Sequence, residues 1–441
     1  MDRQAFVTAW SVSKQENWVV RVRVVVEAEL SALCLLSALA ALPGVVAART
    51  RRPATASQSG TVYIESNSRA PGSNAILAFH YTNGVLSGRG VRRYPTGGSG
   101  SHDLSNSGVL DADQEVITNP RHTLLFAVNS SSDTIAVFHI HAGGGLTPVT
   151  GSPFPSGGAA PSSLGLAGST LIVANKAQDG VRNLTHTPAN YTSFHVRADG
   201  TLGAAISSIN VPPRSSPLQA YVTPDRKVLI TSEESGVFRA FRILPDGSLV
   251  QGPNSPQRMP NAVFPGGQRV PLVWPAGLAS NPRHKILYAQ LANVSRTIVY
   301  RWNDQASLTF VRAISNPGSY LPCWTHVNRA GTRMYTGNAG SDNMSVFDIS
   351  RDPTDPREIQ SVALDGPGDP WNFEIDPSGH VIFLLDMRAV AAIPAGQGND
   401  LHTLRIGASG RLTEEPSSPV KIPVRVGTNP IGLAIVPGRD R

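Results

Sequence analysis

The sequence predicts an all-β protein, a seven-bladed β-propeller, and three observations support this fold class. A phrase of about fifty residues recurs along the chain, its short segments alternate with period two between turn residues, and the last segment supplies a strand missing from the first copy. The 441 residues include 41 Gly and 35 Pro, and only 16% are charged against a usual ~25%. A helical bundle with charged outer faces is therefore disfavoured.

The first 48 residues are predicted to form a signal peptide or a membrane anchor. Residues 30–48 read LSALCLLSALAALPGVVAA, an uncharged run that ends in small residues, as secretory signals do. Glu27 and Glu29 directly precede this run, which is consistent with a start downstream of Met1. The run is also just long enough to span a bilayer core, so an anchor stays the alternative. We expect a secreted or periplasmic protein, which contacts a membrane only if this segment is uncleaved, with residues 49–59 as a linker.

The repeats divide residues 60–438 into seven copies, each with three visible strands and room for a fourth. An aromatic or leucine residue recurs in the third strand, and an Asn, an acid or Leu291 ends the second strand. No segment after residue 60 keeps a helical period over ten residues, so the repeats are read as propeller blades. The third-strand column is Phe79, Phe138, Phe194, Phe241, Tyr300, Phe347 and Leu404; the second-strand column is Asn67, Asn129, Asn175, Glu233, Leu291, Asn338 and Asp386.

The two chain ends are predicted to share one blade. Residues 427–437 match the first strand of other copies, and no second strand follows them. The first copy instead opens with a second strand at residues 61–67. We therefore expect the C-terminal strand to complete the first blade and to remove the open edge that a linear array would expose.

In the segments AVNSSSDTIAVFHI and TGNAGSDNMSVFDI the chain resembles the lactonase family of seven-bladed propellers with YVTN-type repeats. That family includes 6-phosphogluconolactonases and 3-carboxy-cis,cis-muconate cyclases. The resemblance implies a lactone hydrolase, or a cyclase, that acts without a cofactor on a small anionic lactone. The family places histidines at the start of two first strands, whereas the matching slots here hold Ala220 and its neighbours, and Ala276-Gly277.

The candidate site is the rim at which first strands begin and second strands end, because loops there surround the central channel. Opening a lactone needs a group that polarises the carbonyl and a base that activates water. The predicted catalytic residues are Glu233, His326, Arg214 and Arg269. The predicted substrate-binding residues are Lys176, His186, Glu115, Trp324, Trp371, Asn372 and Asp386.

Structural roles compete with these assignments. Residues of the second-strand column commonly cap strands and shape turns, and tryptophans at first-strand starts can wedge between blades. Eleven histidines without paired spacing do not indicate a metal site, two cysteines do not form a disulfide framework, and the basic run Arg49–Arg52 lies in the linker, so nucleic acid is not an expected partner. We expect a monomer. The alternative function is a non-catalytic exported propeller that binds a protein, a glycan or a cell-wall component.

Overall fold

The computed structural model describes residues 59–101, 112–213, 215–270, 274–390 and 392–438. These residues form seven antiparallel sheets, the blades of a propeller ring, which confirms the predicted fold class. Contacts between the first strands of neighbouring blades run around the whole ring. The predicted signal segment and most of the linker lie outside the described residues.

Blade 1 confirms the predicted closure, because the C-terminal strand pairs with the N-terminal one. It contains β1 (Ser59–Glu65), β2 (Ala75–Thr82), β3 (Val85–Leu86), β4 (Arg92–Pro95) and, from the other end of the chain, β32 (Ile431–Pro437). The pairing of β1 with β32 runs from Gly60 opposite Pro437 to Glu65 opposite Ile431. β1 begins at Ser59, one residue before the predicted boundary.

The remaining blades follow in chain order, each running from the channel outwards. Blade 2 contains β5 (Val116–Thr118), β6 (Leu124–Asn129), β7 (Thr134–Ile140), β8 (Leu146–Pro148) and β9 (Phe154–Pro155). Blade 3 contains β10 (Pro161–Ala167), β11 (Thr170–Asn175), β12 (Asn190–Val196) and β13 (Leu202–Asn210). Blade 4 contains β14 (Pro217–Val222), β15 (Val228–Glu233), β16 (Val237–Ile243), β17 (Leu249–Gln251) and β18 (Gln257–Arg258).

Blades 5 to 7 complete the circle. Blade 5 contains β19 (Pro275–Ser280), β20 (Ile286–Leu291), β21 (Arg296–Trp302) and β22 (Leu308–Ser315). Blade 6 contains β23 (Pro322–Val327), β24 (Arg333–Asn338), β25 (Asn343–Asp348) and β26 (Arg357–Ala363). Blade 7 contains β27 (Asp369–Ile375), β28 (Val381–Met387), β29 (Asp400–Ile406), β30 (Leu412–Glu414) and β31 (Val420–Lys421). Short 3-10 helices span Ser130–Ser132, Asn261–Val263, Pro265–Gly267 and Ala292–Val294.

The hydrophobic core lies between the blades. One cluster joins blade 4 to blade 5 through Ile230, Phe238, Leu287 and Tyr300, and similar clusters join the blade pairs 1–2, 2–3, 3–4 and 5–6. Burying each such side chain contributes about 1.5–3 kcal/mol relative to leaving it in water. Because both faces of a blade are covered by its neighbours, few positions remain for charged residues, which accounts for the low charge of the sequence.

A proline is the first residue of the innermost strand, or lies within one position of it, in six of the seven blades. An innermost strand has no partner on its channel side, so proline's missing N–H costs no ladder bond there. In β10, β14, β19, β23 and β27 the register shifts just after this proline, which marks a β-bulge or irregularity there. The six are Pro161, Pro217, Pro275, Pro322, Pro370 and, directly before β32, Pro430. We call the rim at which these strands begin the upper rim, and the other the lower rim.

Candidate functional site in the central channel

Asp113 lies in the channel just before β5 of blade 2, the blade whose innermost strand lacks a proline at its start. Its carboxylate accepts hydrogen bonds from Asn372 Nδ2 of blade 7 at 3.0 Å and from Gln219 Nε2 of blade 4 at 3.2 Å. Its backbone N–H donates to Leu218 O at 3.2 Å, and its carbonyl accepts from Ser163 Oγ of blade 3 at 2.5 Å. One residue of blade 2 therefore holds three other blades across the channel.

Two of these partners extend the connection to further blades. Gln219 Oε1 accepts from the backbone N–H of Leu278 in blade 5 at 2.6 Å, and Asn372 Oδ1 accepts from that of Gly432 in blade 1 at 2.8 Å. We call Asp113, Ser163, Gln219 and Asn372 the channel belt. It links blades 1, 2, 3, 4, 5 and 7, and blade 6 faces it with His326.

His326 and Glu374 lie next to the belt, near the lower ends of β23 and β27. His326 Nδ1 is 3.8 Å from Glu374 Oε2, and its ring packs edge-on against Phe373 with 4.7 Å between the ring centres. His326 Nε2 is enclosed and has no hydrogen-bond partner among the described residues. The side chains keep 22% and 39% of their surface exposed, so solvent reaches both of them.

The environment favours protonated carboxyl groups in this cluster. Burial raises the pKa of Asp113, and the charge of His326 and the hydrogen bond from Asn372 oppose that rise. Shielding by the surrounding channel walls raises the pKa of Glu374; His326 again opposes the rise and Asp113 adds to it. An imidazole beside two carboxyl groups of raised pKa is an arrangement capable of general acid–base chemistry.

Glu115 follows Asp113 by two residues and is fully buried. Neither oxygen of its carboxylate accepts a hydrogen bond from the described residues. Burial raises its pKa well above the usual range, the nearby carboxylates of Asp113 and Glu65 add to this, and Lys176 opposes it. Lys176, which is also buried, has its Nζ 3.1 Å from Glu234 Oε1.

Glu233 is held in an ion pair inside blade 4. Its Oε1 accepts from Arg239 Nε at 2.6 Å and from the hydroxyl of Tyr191 at 3.0 Å, and Ser235 Oγ donates to Oε2 at 3.2 Å. Glu233 is 0% exposed. The structure thus gives Glu233 a bracing role, the alternative that the sequence left open, and separates it from His326.

The other predicted residues are dispersed. Asp386 pairs with His402 in blade 7, at 3.2 Å between Oδ2 and Nε2. Trp324 and Trp371 pack edge-to-face with 6.2 Å between ring centres, as wedges between blades 6 and 7. Arg269 lies over the ring of Phe264, 5.5 Å from its centre, and donates to Met259 O at 3.3 Å. His186 is exposed in the loop after β11. Arg214 lies outside the described residues.

The structure brings together His326 and Asn372 from the predicted set and adds Asp113, Gln219 and Glu374. Glu374 follows Asn372 by two residues in β27, a spacing that predicts one face in a regular strand, although the register of β27 shifts between Pro370 and Phe373. Asp113 carries a weaker signal, the absence of the rim proline that marks the other six innermost strands. Among the described residues no three His, Cys, Asp or Glu side chains are arranged to hold a metal ion. No helix in this part of the chain is long and apolar enough to cross a membrane.

The fold and the channel define a class, a seven-bladed β-propeller closed by its C-terminal strand. Within that class the chain is similar to a periplasmic gluconolactonase of Pseudomonas aeruginosa, with a TM-score of 0.65 and 15% sequence identity over 86% of this chain and 100% of that one. A protein of Bacteroides fragilis assigned, but not established, as a 6-phosphogluconolactonase gives a TM-score of 0.60 at 16% identity, over 86% and 98% of the two chains. A protein of Bacteroides uniformis with the same assignment gives 0.60 at 15%, over 86% and 99%.

These similarities place the chain in the lactonase-like propeller fold. In sequence, no family model and no curated protein matches it. At such identities the shared property is the fold, so the chemistry of this chain has to be argued from its own channel residues.

Proposed function

We propose that the protein hydrolyses a small lactone in the central channel, with His326 and Glu374 at the reacting atoms. The observation that carries this proposal is the solvent-accessible pair of an imidazole and a carboxyl group beside Asp113. The fold similarity to a gluconolactonase supports the same reaction class.

In the proposed reaction His326 removes a proton from water as its oxygen adds to the lactone carbonyl carbon. The bond from that carbon to the ring oxygen then breaks, and the ring oxygen takes a proton from Glu374, whose raised pKa suits a general acid. The products are a hydroxyl group and a carboxylic acid, so water is the only co-reactant.

The charges around the channel favour an uncharged, hydroxyl-rich lactone over the anionic substrate expected from the sequence. Asp113, Glu115 and Glu374 all face this region, whereas Lys176 is engaged with Glu234, and Arg269 lies against Phe264. A phosphate or carboxylate on the substrate would meet these carboxyl groups in place of a cation, whereas the hydroxyl groups of an uncharged ring can hydrogen-bond to a carboxyl group in either protonation state.

The test is hydrolysis of an uncharged aldonolactone, its phosphate ester and an aromatic-derived lactone, each corrected for the rate in buffer. We expect acceleration of the uncharged lactone, and a loss of about 10²–10⁴-fold in kcat for His326→Gln and Glu374→Gln. The control is His195→Ala, an exposed histidine of β12. Equal rates in wild type and both channel variants would contradict the proposal. Saturable lactone binding without turnover would favour the non-catalytic binding protein.

We also propose that residues 30–48 direct export of the chain. The segment has the form of a secretory signal, and the propeller of Pseudomonas aeruginosa with the same fold is periplasmic. Cell fractionation with N-terminal sequencing of the recovered protein tests this. A chain that retains residues 30–48 and stays in the cytoplasm would contradict it.

A further inference from the structure

A cleft opens at the lower rim between blades 1 and 2, where β32 ends and β1 begins. Its volume is about 210 Å³, equal to that of about seven water molecules in the liquid. Three histidines, His80, His122 and His141, line it together with Thr61 and the turn Gly143-Gly144. The cleft lies where β32 and β1 meet, away from the channel belt.

The wall of the cleft has a fixed geometry. Arg92 Nη2 donates to His80 Nε2 at 2.9 Å and to Gly143 O at 2.8 Å. Since an arginine can only donate, His80 Nε2 is the acceptor, and the imidazole carries its proton on Nδ1, 3.3 Å from Thr61 Oγ1. The hydroxyl of Tyr63 donates to Gly144 O at 3.0 Å.

Gly144 permits this close approach of the two blades. It has φ of 73°, and a Cβ there would lie 2.1 Å from Thr61 Oγ1. No other residue fits without moving Thr61, so the turn can sit against β1 only as glycine. Blade 2 thereby holds a rigid, preformed cleft against blade 1.

The groups that line the cleft differ from the carboxyl groups of the channel. Among the described residues that line it, none is Asp or Glu, whereas three are histidines, several carry hydroxyls and Arg92 adjoins them. Asp376 interacts with the lining residue Tyr81, but that carboxylate already accepts from Ser378 Oγ and from the backbone N–H groups of His380 and Val381. Imidazole, hydroxyl and guanidinium donors without a competing carboxylate are the groups that recognise oxyanions.

We propose that this cleft binds a small oxyanion, a carboxylate or a phosphate group. The exposed His141, whose Nε2 is 2.8 Å from Thr147 Oγ1, and the guanidinium of Arg92 are its main recognition groups. The site is separate from the channel and does not depend on lactone hydrolysis there.

The test is calorimetric titration of the full chain with inorganic phosphate, acetate and gluconate at constant ionic strength, up to about 10 mM, which nearly saturates a site with Kd of about 1 mM. We expect one saturable site, and a weakening of about tenfold in His141→Ala and in Arg92→Gln, since each removes a hydrogen-bond donor. The matched control His195→Ala leaves binding unchanged. A preference for phosphate or for the carboxylates identifies which oxyanion the cleft selects.

The proposal is overturned if none of the three anions binds saturably, or if His141→Ala and Arg92→Gln bind as wild type does. Because Arg92 also braces two blades, its variant is first compared with wild type by thermal unfolding. His141 is exposed and serves as the variant that keeps the fold. Perturbation of the His80 and His141 imidazole resonances by the bound anion is a second readout, and anion binding that leaves both unmoved would place the site elsewhere.

Discussion

His402 in blade 7 provides a sharp test of the electrostatic reasoning. Its imidazole is buried between two carboxylates, with Nδ1 2.6 Å from Glu414 Oε1 and Nε2 3.2 Å from Asp386 Oδ2. Burial alone would lower the pKa of His402, but the two carboxylates outweigh it and raise that pKa to about 10. The structure therefore predicts a buried imidazolium at neutral pH.

The contribution of His402 to the free energy of unfolding follows from the rise of its pKa on folding. A histidine with pKa about 10 in the folded state and 6.5 in the unfolded state stabilises the fold fully below pH 6.5, and this contribution is lost as pH rises through 10. The linkage relation gives about 4 kcal/mol at pH 7 and about 1.4 kcal/mol at pH 9, as upper bounds. Glu414 has a lowered pKa, chiefly through its hydrogen bond from His402 against the effect of burial, so its contribution is lost at acidic pH instead.

The perturbation is His402→Gln, and the assay is urea unfolding of wild type and variant between pH 6 and pH 9.5. We expect the variant to be less stable by about 3–4 kcal/mol at pH 7, and this difference to shrink by about 2.5 kcal/mol at pH 9. His195→Gln, on the exposed face of β12, is the control and should show no such trend. A difference that stays constant from pH 6 to pH 9.5 would refute the assignment of a buried imidazolium.

Two further predictions concern the ring. Glu233→Gln leaves Arg239 buried without its carboxylate and should lower the free energy of unfolding in urea by about 3–5 kcal/mol. The double variant Glu233→Leu with Arg239→Ile copies Leu291 and Ile298 of blade 5 and should recover most of that loss. Equal destabilisation of the single and the double variant would contradict the bracing role. Truncation after Val426 removes β32, which pairs with β1 and buries Ile431 and Leu433. We therefore expect the truncated chain to lose its cooperative thermal transition. A truncated chain that melts as wild type does would show that closure is dispensable.

Much of the fold could be predicted from the sequence because each blade repeats the same local pattern. The column ending in Asp386 located the end of every second strand to within two residues, Asn67 lying just beyond β1. The unpaired first copy revealed the closure, since both signals are local in the chain. The candidate site was harder to predict. Asp113 contacts Asn372 across 259 residues, and no local pattern encodes a contact made through the middle of a ring.

The charged residues show a second limit. Glu233 departs from the Asn column, and such a departure is equally expected for a catalytic acid and for half of an ion pair. Its partner Arg239 lies two positions into the next strand, in the place that Ser345 occupies in blade 6 and His402 in blade 7. In blades 4, 6 and 7 the residue of the second-strand column and the third residue of the next strand are chemically matched. The pairs are Glu233 with Arg239, Asn338 with Ser345 and Asp386 with His402, and this matching indicates that each pair braces its own blade.

These matched pairs bear on how such a ring can diversify. Both members of a pair lie on adjacent strands of one blade. A duplicated or exchanged blade therefore carries both members of its pair, and neither is left buried without its partner in the new position. The channel belt behaves in the opposite way, since Asp113 depends on side chains from three other blades. Within the described part of the chain blade 6 makes no hydrogen bond to the belt, so it is the blade that recombination could replace without breaking a belt contact.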